Sequence, residues 1–167
     1  ARFDIAKLDN LNSHYLRETA DIDLLDIVYK QLTAQLDREI PNVEQQRVAK
    51  GLTELKKRAR TIKELVSNAQ FYVEPPRYPL TDAKADKFLN ADTSGLLKRA
   101  KEALATVEDW SSSSLEKNLR SVAVGMDLRF GTIAQPLRAA VTGMYVSPGI
   151  FEVIEILGRE ETLSRID

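Results

Sequence analysis

The chain has no cysteine and a single histidine, His14. The first absence removes disulfides, thiolate nucleophiles and cysteine-based zinc sites. The second leaves no room for a multi-histidine metal centre. Charge of one sign is also missing: the net charge is −1, which excludes a protein basic over its whole surface but leaves room for a local basic patch. No apolar run approaches the roughly 18–20 residues of a membrane-spanning helix. Ala1-Arg2-Phe3-Asp4 shows no signal-peptide pattern, and there is no initial Met, so the chain is expected to be a piece of something longer. There is no glycine-rich phosphate loop, no supported Ser–His–Asp set and no paired-carboxylate signal. Asp21, Asp23 and Asp26 lack the glycine and terminal glutamate of a calcium loop, and read as charge at a helix N-terminus.

What is present is helical periodicity, with a hydrophobic content of 43% that is enough for a packed core. Ile5, Leu8, Leu11, Tyr15 and Leu16 form one apolar face, and Leu24, Leu25, Val28, Leu32 and Leu36 form a second. Pro41 ends that second helix, and Asn42 is the expected cap of a third. Thr61-Ile62-Lys63-Glu64 fits a capping box. Three prolines between Pro75 and Pro79 favour a stiff, extended connection, so two helical subdomains are expected, 1–80 and 81–167. In the second, a helix restarts at Ser94-Gly95-Leu96, and Ser113-Ser114-Leu115-Glu116 reads as another capping box with Gly125 as its helix stop. Short helices follow around 137–141 and 151–157. The expected fold class is all-α.

Two stretches carry chemistry. Between Arg47 and Lys63, seven basic residues stand against one acid, Glu54. Such a stretch is either a solvated helix face or a patch for phosphates and base edges. Arg58 and Arg60 immediately precede the cap at Thr61, where a guanidinium can fork onto an acceptor pair, and Phe71 and Tyr72 offer stacking faces or core. The second stretch is Gln135-Pro136-Leu137-Arg138, then Thr142-Gly143 and Ser147-Pro148-Gly149-Ile150. Arg138 reads as a donor toward an extruded base or as an ion-pair residue with Glu152 or Glu155. Ser147-Pro148 resembles a helix N-cap followed by proline at the first helical position. On residues alone this is a helical binding module.

The chain resembles the C-terminal, anticodon-binding half of bacterial-type glutamyl-tRNA synthetase. The resemblance runs over nearly the whole length. It rests on Phe3-Asp4, Leu8, Asn12 and Tyr15-Leu16, on Arg58-Ala59-Arg60-Thr61-Ile62 and Phe71-Tyr72, and on Trp110 with the ordered set Gln135-Pro136-Leu137-Arg138, Val141-Thr142-Gly143, Ser147-Pro148-Gly149 and Phe151-Glu152. It implies two small helical subdomains forming an α-helix cage, and binding of the anticodon loop of tRNA-Glu. It implies a cytoplasmic, monomeric protein of translation with no cofactor in this chain. ATP and Mg belong to the parent's separate catalytic domain, so the chain is expected to be inactive alone. The residues it implies for tRNA contact are Arg58, with Arg60 as rival, for the third anticodon base, then Arg138, Ser147, Pro148 and Ile150, with Tyr145 as a stacking residue. If the alignment shifts past the proline segment, Lys84 and Lys87 take the place of Arg58. A protein-interaction module with a basic face, and a relaxed specificity that also accepts tRNA-Gln, are the alternatives.

Overall fold

A computed structural model describes residues 13–167. The part of the first apolar face formed by Ile5, Leu8 and Leu11 lies outside the described residues. All regular structure among the described residues is helical. They fall into two compact units, one ending at Glu74 and one spanning Pro75–Asp167. The proline-rich segment thus belongs to the second.

In the first unit, α1 is described over 13–18, and α2 runs Asp21–Leu36 with Asp21 and Asp23 in its first turn. Those carboxylates meet the positive end of the helix dipole. Leu24, Val28 and Leu32, at helical spacing, are completely buried. Next comes α3, Asn42–Lys57, in which Pro41 and not Asn42 holds the cap position. The expected asparagine cap is absent because the fixed φ of proline (−58° here) already presets the turn, and the helix starts one residue earlier. The last helix of the unit, α4, spans Ile62–Val73 and begins as its sequence signature requires, with Thr61 Oγ1 accepting from the Glu64 N–H at 3.0 Å. Glu64 reaches back to the Arg60 N–H at 2.7 Å, one residue before the cap. α4 packs on α3 and α2. At Gly51 a side chain is impossible without rearrangement, because a Cβ there would stand 2.6 Å from the Tyr72 ring. The pair Phe71 and Tyr72, ring centroids 4.2 Å apart, is buried in this core. Neither ring is a stacking face.

In the second unit, α5 (Ala83–Asp86) is a single turn capped by Asp82. α6 (Ala91–Ala105) starts several residues earlier than expected, because Asn90 and Thr93 form a reciprocal capping box. α7 (Ser112–Gly125) is capped by Ser111, two residues ahead of the expected Ser113, and the residue at positive φ after it is Asp127, not Gly125. α8 (Phe130–Thr142) is longer than its apolar core 137–141 and carries Pro136 inside it. It packs against α5, α6 and α7 and against the two last helices, α9 (Ile150–Leu157) and α10 (Arg159–Ile166). Ile133, Leu137, Ala139, Ala140 and Val141 give it a face with almost no exposure. Gly143 ends it at φ 70°, the left-handed conformation that glycine adopts without strain. Near the end of the chain, buried Arg165 donates to Val141 O at 2.9 Å and to Glu161 Oε1 at 2.8 Å. It thereby satisfies one of the carbonyls that the C-terminus of α8 leaves open.

Candidate nucleic-acid interface

The basic stretch of the first unit is partly neutralised. Lys56 pairs with Asp21 at 3.0 Å, and Glu54 accepts from both Lys57 at 2.8 Å and Arg58 at 3.2 Å. Those two hydrogen bonds hold the Glu54 carboxyl below its ordinary range. Arg58 also donates to Glu54 O at 3.2 Å, so its guanidinium lies back along the end of α3 while the residue stays exposed. Arg60 is exposed as well, and its side chain has no ion-pair partner among the described residues. The bend between α3 and α4 therefore presents a guanidinium that is held by the protein and, two residues on, one that is not.

The second unit contributes the loop 143–149. Arg138, on α8, sends Nη1 into it, donating to Ser147 Oγ (2.5 Å), Ser147 O (3.2 Å) and Pro148 O (2.9 Å). Ser147 is buried and donates to Pro148 O at 2.8 Å. It does not cap α9, whose N-terminal flank is Gly149 with no side-chain cap, so the expected Ser-Pro helix start is replaced by a clamp on Arg138. Pro148 and Ile150 are buried too. Thr142 closes the loop from the other side, accepting from the Met144 N–H at 3.1 Å. The side chains that remain outward are those of Tyr145, 38% exposed, and Val146, 62% exposed.

The Tyr145 ring does not stand alone. It stacks on Phe88, with centroids 6.1 Å apart and planes 12° from parallel, and Lys84 Nζ stands 5.6 Å from its centroid. Asp82 ties the loop down: its Oδ2 accepts from the Tyr145 N–H at 2.9 Å while its Oδ1 accepts from the N–H groups of Lys84 and Ala85. That bond from Tyr145, ahead of the two α5 amides, holds the Asp82 carboxyl below its ordinary range. Together, Tyr145 and Lys84 make an aromatic surface edged by positive charge, and Lys87, just past α5, is exposed as well. Sequence reasoning found Tyr145, Lys84 and Lys87 as separate positions but missed Asp82. The available signal was the N-cap pattern of an aspartate before Ala83-Lys84-Ala85. No group of side chains among the described residues can hold a metal ion, and no described helix is long and apolar enough to cross a membrane.

The chain as a whole is similar to known proteins. The chain is 42% identical over its full length to glutamate–tRNA ligase 2 of Rhizorhabdus wittichii, of which it covers 35%. It is 41% identical, again over its full length, to glutamate–tRNA ligase 2 of Zymomonas mobilis, covering 34%. It thus spans about a third of the length of these curated relatives. Among solved structures, the glutamate tRNA ligase of Elizabethkingia meningosepticum, determined in complex with its amino acid, superposes with a TM-score of 0.77 at 26% identity, over 99% of this chain and 32% of that one. The family model described as an anticodon binding domain matches residues 23–167. The chain belongs to the anticodon binding domain family.

Proposed function

We propose that this chain binds the anticodon loop of tRNA-Glu, as the anticodon-recognising part of a glutamate–tRNA ligase whose ATP-dependent chemistry resides elsewhere in the enzyme. The observation that carries the proposal is the full-length likeness to glutamate–tRNA ligases at 42% identity. Two features of the surface support it. Tyr145, backed by Phe88 and edged by Lys84, offers a flat face for an unstacked base, an interaction worth about 1–3 kcal/mol. At the α3–α4 bend, Arg58 and Arg60 offer guanidinium forks suited to a base edge or a phosphate. Ser147, Pro148 and Ile150 act from beneath by fixing the shape of the loop, and Arg138 holds it. The protein works as a monomer in the cytoplasm.

The test is the affinity ratio between anticodon stem-loops of tRNA-Glu and tRNA-Gln at fixed salt, for the wild type, Arg58→Gln and Arg60→Gln. A bidentate base contact is worth about 1–3 kcal/mol of discrimination. Arg58→Gln is expected to narrow the ratio by at least about 1 kcal/mol, and Arg60→Gln to weaken both stem-loops equally. A ratio already near unity in the wild type means that tRNA-Gln is accepted too. No binding to either stem-loop overturns the proposal.

A further inference from the structure

A cavity of about 440 Å³ in the first unit is not used by the loop or by the base-reading position. It lies between α1, the end of α3 and the α3–α4 bend, and is lined by Ser13, Arg17, Thr53, Lys56, Lys57 and Arg60 over the buried Leu16. We propose that this cavity is a phosphate subsite, and that it takes an internucleotide phosphate of the bound RNA.

The lining holds cations and hydroxyls and no carboxylate. A guest must therefore be anionic and rich in acceptors. The four cations are not equivalent. Lys56 and Lys57 already answer Asp21 and Glu54, whereas the side chains of Arg17 and Arg60 have no ion-pair partner among the described residues. Two guanidinium groups facing one cavity match a tetrahedral oxyanion, since each can donate two parallel N–H groups. The C-terminus of α3 opposes an anion with about half a unit of charge, and the two full charges of Arg17 and Arg60 outweigh it. The lining also carries no aromatic ring, because Phe71 and Tyr72 are in the core. A base would find nothing to stack on. The volume exceeds what one phosphate fills, which suits a phosphodiester that enters and leaves with its sugars. Arg58 is absent from the lining, so the subsite is separate from the position proposed to read a base.

The identity of the guest rests on the RNA-binding reading above, but the anion site does not, and the experiment has one arm for each. In the first arm, inorganic pyrophosphate is titrated into the isotope-labelled chain, with amide shifts followed by NMR. Shifts are expected at Thr53, Lys57 and Arg60 in the wild type and not in Arg17→Gln/Arg60→Gln. Wild-type shifts that are absent, or that persist in the double variant, overturn the site. In the second arm, stem-loop affinity is measured against salt. The double variant is expected to bind both the tRNA-Glu and tRNA-Gln stem-loops about tenfold more weakly, with a log–log slope shallower by roughly 0.7 for one lost contact to single-stranded RNA. An unchanged slope overturns the RNA assignment, and so does a loss confined to one anticodon. Arg17→Lys/Arg60→Lys keeps the charge and is expected to retain most of the slope, which separates phosphate binding from a folding defect. If the wild type binds neither stem-loop, the proposed function fails and the pyrophosphate arm still decides the site.

Discussion

Arg138 shows how far a residue's chemistry is readable from its type and how far from its surroundings. Its motif marks it as important, and the sequence reading leaves open a donor toward RNA or an ion pair. The structure gives its Nη1 three acceptors inside the protein, all on Ser147 and Pro148. Hydrogen bonds to a charged group are worth about 1.5–3 kcal/mol each, and an unmade one leaves a buried acceptor unsatisfied. Arg138→Ala is therefore expected to lower stability by about 2–3 kcal/mol in urea unfolding, while helix content in the folded state is kept. Stem-loop affinity should fall by about 1–3 kcal/mol, because Tyr145 and Val146 lose their support. A drop in affinity with unchanged stability assigns Arg138 to direct contact instead. Gly51 is the opposite case, a residue whose role is space. Alanine inside a helix ordinarily gains up to about 1 kcal/mol over glycine. Here its Cβ would lie 2.6 Å from Tyr72 Cε2, and the buried ring has nowhere to go. Overpacking of this kind costs about 1–3 kcal/mol, so Gly51→Ala is expected to destabilise, in contrast to the propensity rule.

At the scale of elements, the helices were legible wherever one cap residue had one partner. Thr61 and Glu64 marked the start of α4, and the structure uses both. Where several residues share the same chemistry the register is not readable. Four serines in a row all qualify as caps, and it is Asp109, accepting from Ser111 and Ser114, that helps fix Ser111 as the one used. Ser147-Pro148 misled for a related reason: its hydroxyl serves a side chain nine residues away, which no local pattern encodes. The same holds for α5, a four-residue helix too short for periodicity. Its link to the loop is nonetheless testable by acid. The Asp82 carboxyl is held below its ordinary range first by the Tyr145 N–H and then by the α5 amides, so its folded pKa lies under its unfolded one. The stabilisation is thus complete above the unfolded value of about 3.9 and is lost as pH falls through the lower folded value. The Tyr145 amide resonance is expected to titrate with a midpoint below about 3.9, and Asp82→Asn is expected to abolish that titration. A midpoint at or above the ordinary value removes the tie between α5 and the loop.

At the scale of the whole molecule, each compact unit has a core of its own. In the first, Leu24, Val28, Leu32, Leu55 and Leu65 are completely buried, and in the second Leu104, Leu115, Leu119, Leu137 and Val153 are. The only tryptophan, Trp110, belongs to the second unit, where its indole N–H donates to Ile154 O at 2.9 Å and Arg159 lies over its ring at 4.9 Å. Trp110 fluorescence therefore reports the second unit, while far-UV circular dichroism reports helices of both. Two cores of this kind are expected to unfold as separate cooperative steps, and the Gly51→Ala change provides a way to see it. The substitution acts on the Gly51–Tyr72 contact of the first unit. It is expected to move part of the dichroism transition to lower urea, by the amount that about 1–3 kcal/mol requires, and to leave the Trp110 midpoint in place. The interval between the two probes' midpoints is then expected to differ between the wild type and the variant. If instead both midpoints shift together, the chain unfolds as one cooperative body, and a defect at Gly51 is transmitted to the unit that carries the Tyr145 loop. That result would also predict that Gly51→Ala weakens stem-loop binding as urea approaches the common midpoint, whereas with separate unfolding the loop around Tyr145 keeps its shape.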